Sequence, residues 1–203
     1  MAKKIVTLAS GTGINFKALL EALAEGQIPD AQMAALITDR KGTGAVDLAK
    51  KFRVPFYEID YKSFSGREAY NAELQRVTTS LSPDLIMALG YMRILPGEFV
   101  NAYHHRLINV HPSLLPSFPG LDAQRQALEY GVRITGVTVH YVDDGVDTGP
   151  IILQSPVKIP PGVEVDELAD LIRVEEHRLI VEAARLHIQK RLKVEGRQVI
   201  ITE

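Results

Sequence analysis

KIVTLASGTGINFKALLEALAEG runs from Lys4 to Gly26. Its first six residues are an apolar run carrying the β-branched Ile5, Val6 and Thr7, which predicts a buried strand over 4–9. SGTG then reads as a glycine turn. Beyond it Phe16, Leu19, Leu20 and Leu23 recur at helical spacing, which predicts a helix over 15–25 with Gly26 as its stop. Strand, glycine turn and helix in that order are the opening unit of an α/β sheet.

The alternation continues outward from this unit. MAALIT (33–38) predicts a second strand, AVDLAKKF (45–52) a helix and VPFYEI (54–59) a third strand. REAYNAELQRVTTSL (67–81) has an amphipathic helical pattern, and PDLIMALG (83–90) and RLINV (106–110) read as further strands. Strands alternating with helices predict a parallel sheet covered on both faces. After His111 the character changes. A helix is expected over 121–130, long strands over 132–142 and 150–159, a long helix over 164–191, and a closing hairpin around Glu195 and Gly196. No linker, repeat or low-complexity tract interrupts the chain. The expectation is one α/β domain over 1–203, a mostly parallel twisted sheet flanked by helices.

The 203 residues suffice for one domain with a sizeable core, and 46% hydrophobic with 24% charged residues is the ordinary balance of a soluble protein. A formal net charge of -2 gives no basic field for nucleic acid. With no cysteine, disulfides, thiolate catalysis and thiolate zinc sites are excluded. MAKKIVTLAS lacks the apolar core of a signal peptide, and no stretch approaches the roughly 20 apolar residues of a membrane span. A cytoplasmic protein without membrane or nucleic-acid partners, monomer or homodimer, is expected.

Three stretches carry candidate chemistry. The first is the glycine loop, Gly11, Thr12, Gly13, Ile14 and Asn15. Free N–H groups at a helix start favour a phosphate. The loop falls short of the GxGxxG fingerprint because Phe16 stands at the third glycine, though Asp39 lies where its acidic partner belongs. A tight turn capped by Asn15 explains the same residues equally well. The second is INVHPSLLPSFPG (108–120). Asn109 and His111 are two apart on a strand and so share a face at its carboxyl end, the edge where open α/β sheets bind ligands. Pro112, Pro116 and Pro119 stiffen the loop after the strand, and Leu115–Pro116 is the bond expected to be cis. A core histidine beside a turn asparagine is the plainer alternative. The third is HYVDDGVDTGPIILQ (140–154), where Asp143, Asp144 or Asp147 could meet His111 and raise its pKa; a solvated turn is the alternative. This loop, near 140–148, is also a candidate for movement. His104 and His105 read as solvated, His140 as a satisfied sheet residue, and His177 and His187 as helix residues. None has convincing metal spacing.

Together SGTGIN (10–15), GYMRIL (90–95), INVHPSLLPSFPG and HYVDDGVDTGPIILQ resemble, in order and over most of the chain, the phosphoribosylglycinamide formyltransferases, folate-dependent transformylases of purine synthesis. The resemblance implies a Rossmann-like formyltransferase fold, with 1–100 as a nucleotide-binding half and 101–203 as a folate and catalytic half. It implies transfer of a formyl group from 10-formyltetrahydrofolate, as co-substrate, to glycinamide ribonucleotide, with no metal. It implies Asn109, His111 and Asp147 as the catalytic trio, the Gly11–Asn15 loop at the substrate phosphate and Glu176 at the ribonucleotide. It implies Arg67, Met92, Arg93, Ile94, Leu95, Asp143 and Asp144 around the folate. Without the resemblance, Met92, Ile94 and Leu95 would read as core. Two positions depart from the family pattern: Ile14 stands where a small serine is common, and Asp122 where a histidine is usual. Relatives of the same superfamily deformylate formyltetrahydrofolate, or formylate methionyl-tRNA or sugar nucleotides. A non-catalytic folate-binding protein is a reading of a different class.

Overall fold

The computed structural model describes residues 2–202. Alternation decides the first strand, β1 (Lys3–Leu8): Ile5 packs into one apolar cluster while Val6 and Leu8 pack into another. β4 (Leu85–Ala88) repeats this, with Leu85 and Met87 on one side and Ile86 and Ala88 on the other. A strand apolar at every position needs cover on both faces, and both receive it. One face is covered by α1 (Ile14–Ala24), α2 (Gly44–Lys51) and α6 (Val165–Ile188), with α5 (Ala123–Tyr130) beside them. The other is covered by α3 (Arg67–Leu81) and a short α4 (Gly97–Ala102). Phe16 and Leu19 of α1 are wholly buried, and burying such side chains stabilises by about 1.5–3 kcal/mol each.

The remaining strands are β2 (Ala31–Thr38), β3 (Phe56–Glu58), β5 (Leu107–His111), β6 (Ile134–Tyr141), β7 (Ile151–Lys158), β8 (Leu192–Glu195) and β9 (Gln198–Ile201). The described residues form one sheet in the order β3-β2-β1-β4-β5-β6-β7-β9-β8. Neighbours from β3 to β5 are parallel, so the carboxyl ends of β2, β1, β4 and β5 share one edge. β5 to β6 and β6 to β7 are antiparallel, and β9 joins β7 in parallel. One sheet therefore draws strands from both halves of the chain. The closing hairpin extends it rather than standing apart.

Local signals fix the boundaries. α6 begins with a reciprocal capping box between Glu164 and Glu167. α5 ends at Gly131 in the left-handed region. The Leu115–Pro116 bond is cis, as the sequence suggested. No helix among the described residues is long and apolar enough to cross a membrane.

Candidate active site

The candidate trio meets where the sheet turns from parallel to antiparallel. Asn109 and His111 stand on β5, and the register sets Asn109 opposite His140 of β6. Asp147 arrives from the loop between β6 and β7. Gly149 shapes that loop's return: a Cβ there would lie 1.7 Å from the Tyr141 carbonyl oxygen, so only glycine fits. Asp147 itself takes a left-handed backbone with φ 55°.

The carboxylate of Asp147 collects four neighbours. Its Oδ2 lies 3.2 Å from His111 Nδ1 and accepts a 2.8 Å hydrogen bond from the Gly120 backbone N–H. Its Oδ1 lies 3.5 Å from Asn109 Nδ2 and 3.7 Å from His140 Nε2. Among the three spaced aspartates, then, Asp147 meets His111. Asp143 instead accepts from Gly145 N and Thr148 Oγ1 within its own loop, and Asp144 is exposed. Burial opposes the charge on Asp147, but His140, Gly120 and His111 hold its carboxyl below the usual range.

His140 is the residue that sequence reasoning missed. Its Nδ1–H donates to the Tyr141 carbonyl at 2.8 Å, and its Nε2 stands 3.3 Å from Asn109 Nδ2 and 3.7 Å from Asp147 Oδ1. It therefore bridges the Asn109 amide and the Asp147 carboxylate. Cross-strand pairing was the only signal that could have found it, and register is not written in either strand alone.

His111 corrects an expectation. Its Nε2–H donates to the Phe118 carbonyl at 2.8 Å while Nδ1 faces Asp147, so both ring nitrogens look onto acceptors. Those contacts favour imidazolium, as expected. Burial nevertheless outweighs them and pushes the pKa of His111 down, with His140 adding to the effect.

The glycine loop lies at the carboxyl end of β1, two strands from β5. Gly13 caps α1 with φ 76°, and a Cβ there would sit 2.8 Å from the Ala45 backbone. No side chain caps α1 and no acidic residue occupies its first turn, so its leading N–H groups are available to an anion. Asn15 is not a cap. Its Nδ2 donates to Glu176 Oε2 at 3.2 Å, and its Oδ1 is buried without a donor. The structure thus joins the predicted phosphate loop to the predicted ribonucleotide residue. Burial pushes the pKa of Glu176 up, with Asn15 and Arg173 opposing. Ile14 is partly exposed, and Asp122 precedes α5 with φ 56° and makes no side-chain cap.

The next loop on the edge, after β4, carries GYMRIL. Met92 N donates to Ser10 Oγ at 2.9 Å, tying this segment to the glycine loop. Met92 and Ile94 are 61% and 71% exposed, which excludes a core role for them. They line a cavity of about 280 Å³ with Arg93, Arg67, Tyr61, Tyr70 and Asn71. Leu95 does not line it; it packs against the core beside α4. The other histidines are distant from this chemistry: His104 stacks on His105, His177 Nε2 lacks a partner, and His187 bridges Tyr141 and the Asp84 carbonyl. Among the described residues no group of three or more His, Cys, Asp or Glu could hold a metal ion.

A half-buried carboxylate, an imidazole and an amide, on one sheet edge with a glycine loop and a cavity, can polarise a carbonyl and move a proton. The chain belongs to the formyl transferase family, whose pattern it matches over residues 3–184. It is 39% identical over 194 residues to a phosphoribosylglycinamide formyltransferase of Mycobacterium tuberculosis, covering 96% of this chain and 89% of that protein. The solved structure of glycinamide ribonucleotide transformylase 1 from Symbiobacterium toebii superposes with a TM-score of 0.96 at 42% identity, covering 100% of this chain and 95% of that one. A trifunctional purine biosynthetic protein of Drosophila melanogaster is 43% identical over 176 residues, covering 86% of this chain; the chain spans only 13% of that protein's length.

Proposed function

We propose that the protein transfers a formyl group from 10-formyltetrahydrofolate to the amine of glycinamide ribonucleotide, as a cytoplasmic enzyme of purine biosynthesis. The observation that carries this is the convergence of Asn109, His111 and Asp147 at one sheet edge, beside the Gly11–Asn15 loop with Glu176. The cavity at Arg67, Met92 and Ile94 adjoins the same edge and suits a flat ring with an anionic tail. Arg93, Leu95, Asp143 and Asp144 belong to this folate side as the loops that frame it.

In this reading the ribonucleotide phosphate rests on the first-turn N–H groups of α1, and Glu176 accepts from the sugar hydroxyls. The amine attacks the formyl carbon directly, and negative charge develops on the formyl oxygen. Asn109 offers an N–H to that oxygen. Its present contacts, at 3.3 and 3.5 Å, are long enough to be exchanged for a better acceptor. The amine sheds its proton through water to Asp147, which passes it to His111. The imidazolium, facing an acceptor on either side, stabilises the oxyanion and then gives that proton to the departing folate nitrogen. The C–N bond to folate breaks as the new C–N bond persists, and no covalent enzyme adduct is needed.

The test is an assay of folate product release by purified protein, with and without glycinamide ribonucleotide. Turnover only with the ribonucleotide supports the proposal. Turnover without it would mean a deformylase using water as acceptor, and ligand binding without turnover a binding protein.

A further inference from the structure

Asp39 directly follows β2, where a dinucleotide-binding fold would carry its acidic ribose ligand. Its side chain is 0% exposed and turned to two arginines. Its Oδ2 lies 2.7 Å from Arg93 Nε, and Arg40 Nε stands 3.5 Å from Oδ1. Neither carboxylate oxygen has a hydrogen-bonded donor among the described residues, so the cations are its compensation. The Arg93 guanidinium in turn lies over the Tyr61 ring, its Cζ 3.6 Å from the centroid, with Tyr70 at 5.6 Å. The Asp39 backbone carbonyl accepts from Tyr61 N at 3.0 Å. One residue therefore holds both the cation and the aromatic ring beneath it. Arg93, Tyr61 and Tyr70 form the wall of the 280 Å³ cavity, and Arg67 lines the same cavity with no ion-pair partner among the described residues.

We propose that Asp39 is a positioning residue of the folate subsite: it fixes Arg93 as a charge-compensated wall over Tyr61 and leaves Arg67 as the free cation for a tail carboxylate. The inference rests on the folate reading above. It reassigns the acidic residue of the incomplete dinucleotide motif from ribose binding to folate selectivity. Arg93 contributes a stacking surface, which is indifferent to salt, and Arg67 contributes charge, which salt screens.

Steady-state kinetics of the full chain with 10-formyltetrahydrofolate varied, at low and high salt, tests this. Asp39→Asn is expected to raise KM for folate about tenfold, the size of a modest coupling, with kcat and the ribonucleotide KM within about twofold. Asp39→Asn/Arg93→Gln should be no worse than Arg93→Gln, because the two residues act as one unit. Arg67→Gln should flatten the rise of folate KM with salt, whereas Arg93→Gln should keep it. An unchanged folate KM in Asp39→Asn would overturn the proposal, as would multiplying effects in the double variant or a salt response that survives Arg67→Gln. Equal damage to both substrates' KM would mark a merely structural residue and overturn it too. Should Asp39→Asn fail to fold, Arg93→Gln and the double variant decide: equal KM values support the unit, unequal ones refute it. No formyl transfer by the unaltered protein would defeat the enzyme reading and this role together, whereas failure of the variants alone would defeat only the role.

Discussion

Asp147→Asn removes one charge and almost no volume, and so isolates what the carboxylate does. The side chain is 11% exposed and meets His111, Gly120, Asn109 and His140 within 3.7 Å. Unit charges 3.2 Å apart attract by about 5 kcal/mol at an effective dielectric of 20, before desolvation is subtracted. A hydrogen bond to a charged group retains about 1.5–3 kcal/mol of such an attraction. An asparagine amide can still donate to His111 Nδ1, but that fixes the ring neutral, with its one N–H spent on the Phe118 carbonyl. The lost bond and the lost imidazolium together place about 3–4 kcal/mol on the barrier, or about 10²–10³ in kcat. Both KM values should move only a few-fold, since neither proposed binding loop is touched. Formyl-transfer kinetics on the folded variant gives the numbers, and the imidazole NMR titration should show His111 displaced further downward. A kcat within tenfold of the unaltered protein, or a loss lying wholly in KM, would refute the role given to Asp147.

Gly13→Ala should destabilise by at least about 1–2 kcal/mol from its left-handed φ alone, and raise KM for the ribonucleotide, because its Cβ would press on Ala45. Gly26→Ala, with φ 73° and nothing within 4 Å, is the control in thermal melts and should leave that KM alone. Glu176→Gln should leave thermal stability equal or higher at pH 8, because burial already disfavours the charge. It should raise the ribonucleotide KM about 10–100-fold, the worth of a charged hydrogen bond, in initial-rate kinetics. Urea midpoints should fall on acidification from pH 7.5 to 5.5, and a higher midpoint at pH 5.5 would refute this. Burial holds His105, His111, His177 and His187 below the usual imidazole range. The unfolded chain then binds more protons once pH drops below about 6.5, so stability is lost as pH falls through that window. Glu176, raised above its ordinary value, works in the opposite sense but alone against four.

What the sequence made legible was whatever repeats over a short span. Continuous apolar runs placed β1 and β4, a 3.6-residue period placed α1 and α3, and the proline-rich run gave the Asn109 and His111 pair with its cis bond. The short α4 was legible only as a helix-like stretch before His104, because six residues hold too little periodicity to bound it. The antiparallel turn at β6 escaped because strand direction is a matter of register and connection, not of composition. The contacts that make the site escaped for the same reason: Asn109 to His140 spans 31 residues, Asn109 to Asp147 spans 38 and Asn15 to Glu176 spans 161. The depressed pKa of His111 escaped because burial belongs to the assembled fold. A neighbouring carboxylate can be suspected from sequence, but the dielectric around it cannot.

The place where the sheet changes direction gives a physical reason for the proposed chemistry to sit on β5. On one side Asn109 pairs in parallel with Ala88, the last residue of β4. On the other it pairs antiparallel with His140, whose ring is held by the Tyr141 carbonyl. A wholly parallel sheet would have put another strand end and another loop beside Asn109. The reversal puts a paired strand residue there instead, His140 one short of the end of β6, and strands hold side chains more firmly than loops do. Three of the four polar groups at the centre thus stand on β5 and β6. Only Asp147 comes from a loop, and that loop is tied at Thr148 by Arg197 and seated at Gly149 against Tyr141. Pre-organisation of an oxyanion site asks for donors that need not move when charge appears. Here the donors are set by register, and the carboxylate that balances their charge is set by a glycine that nothing larger can replace.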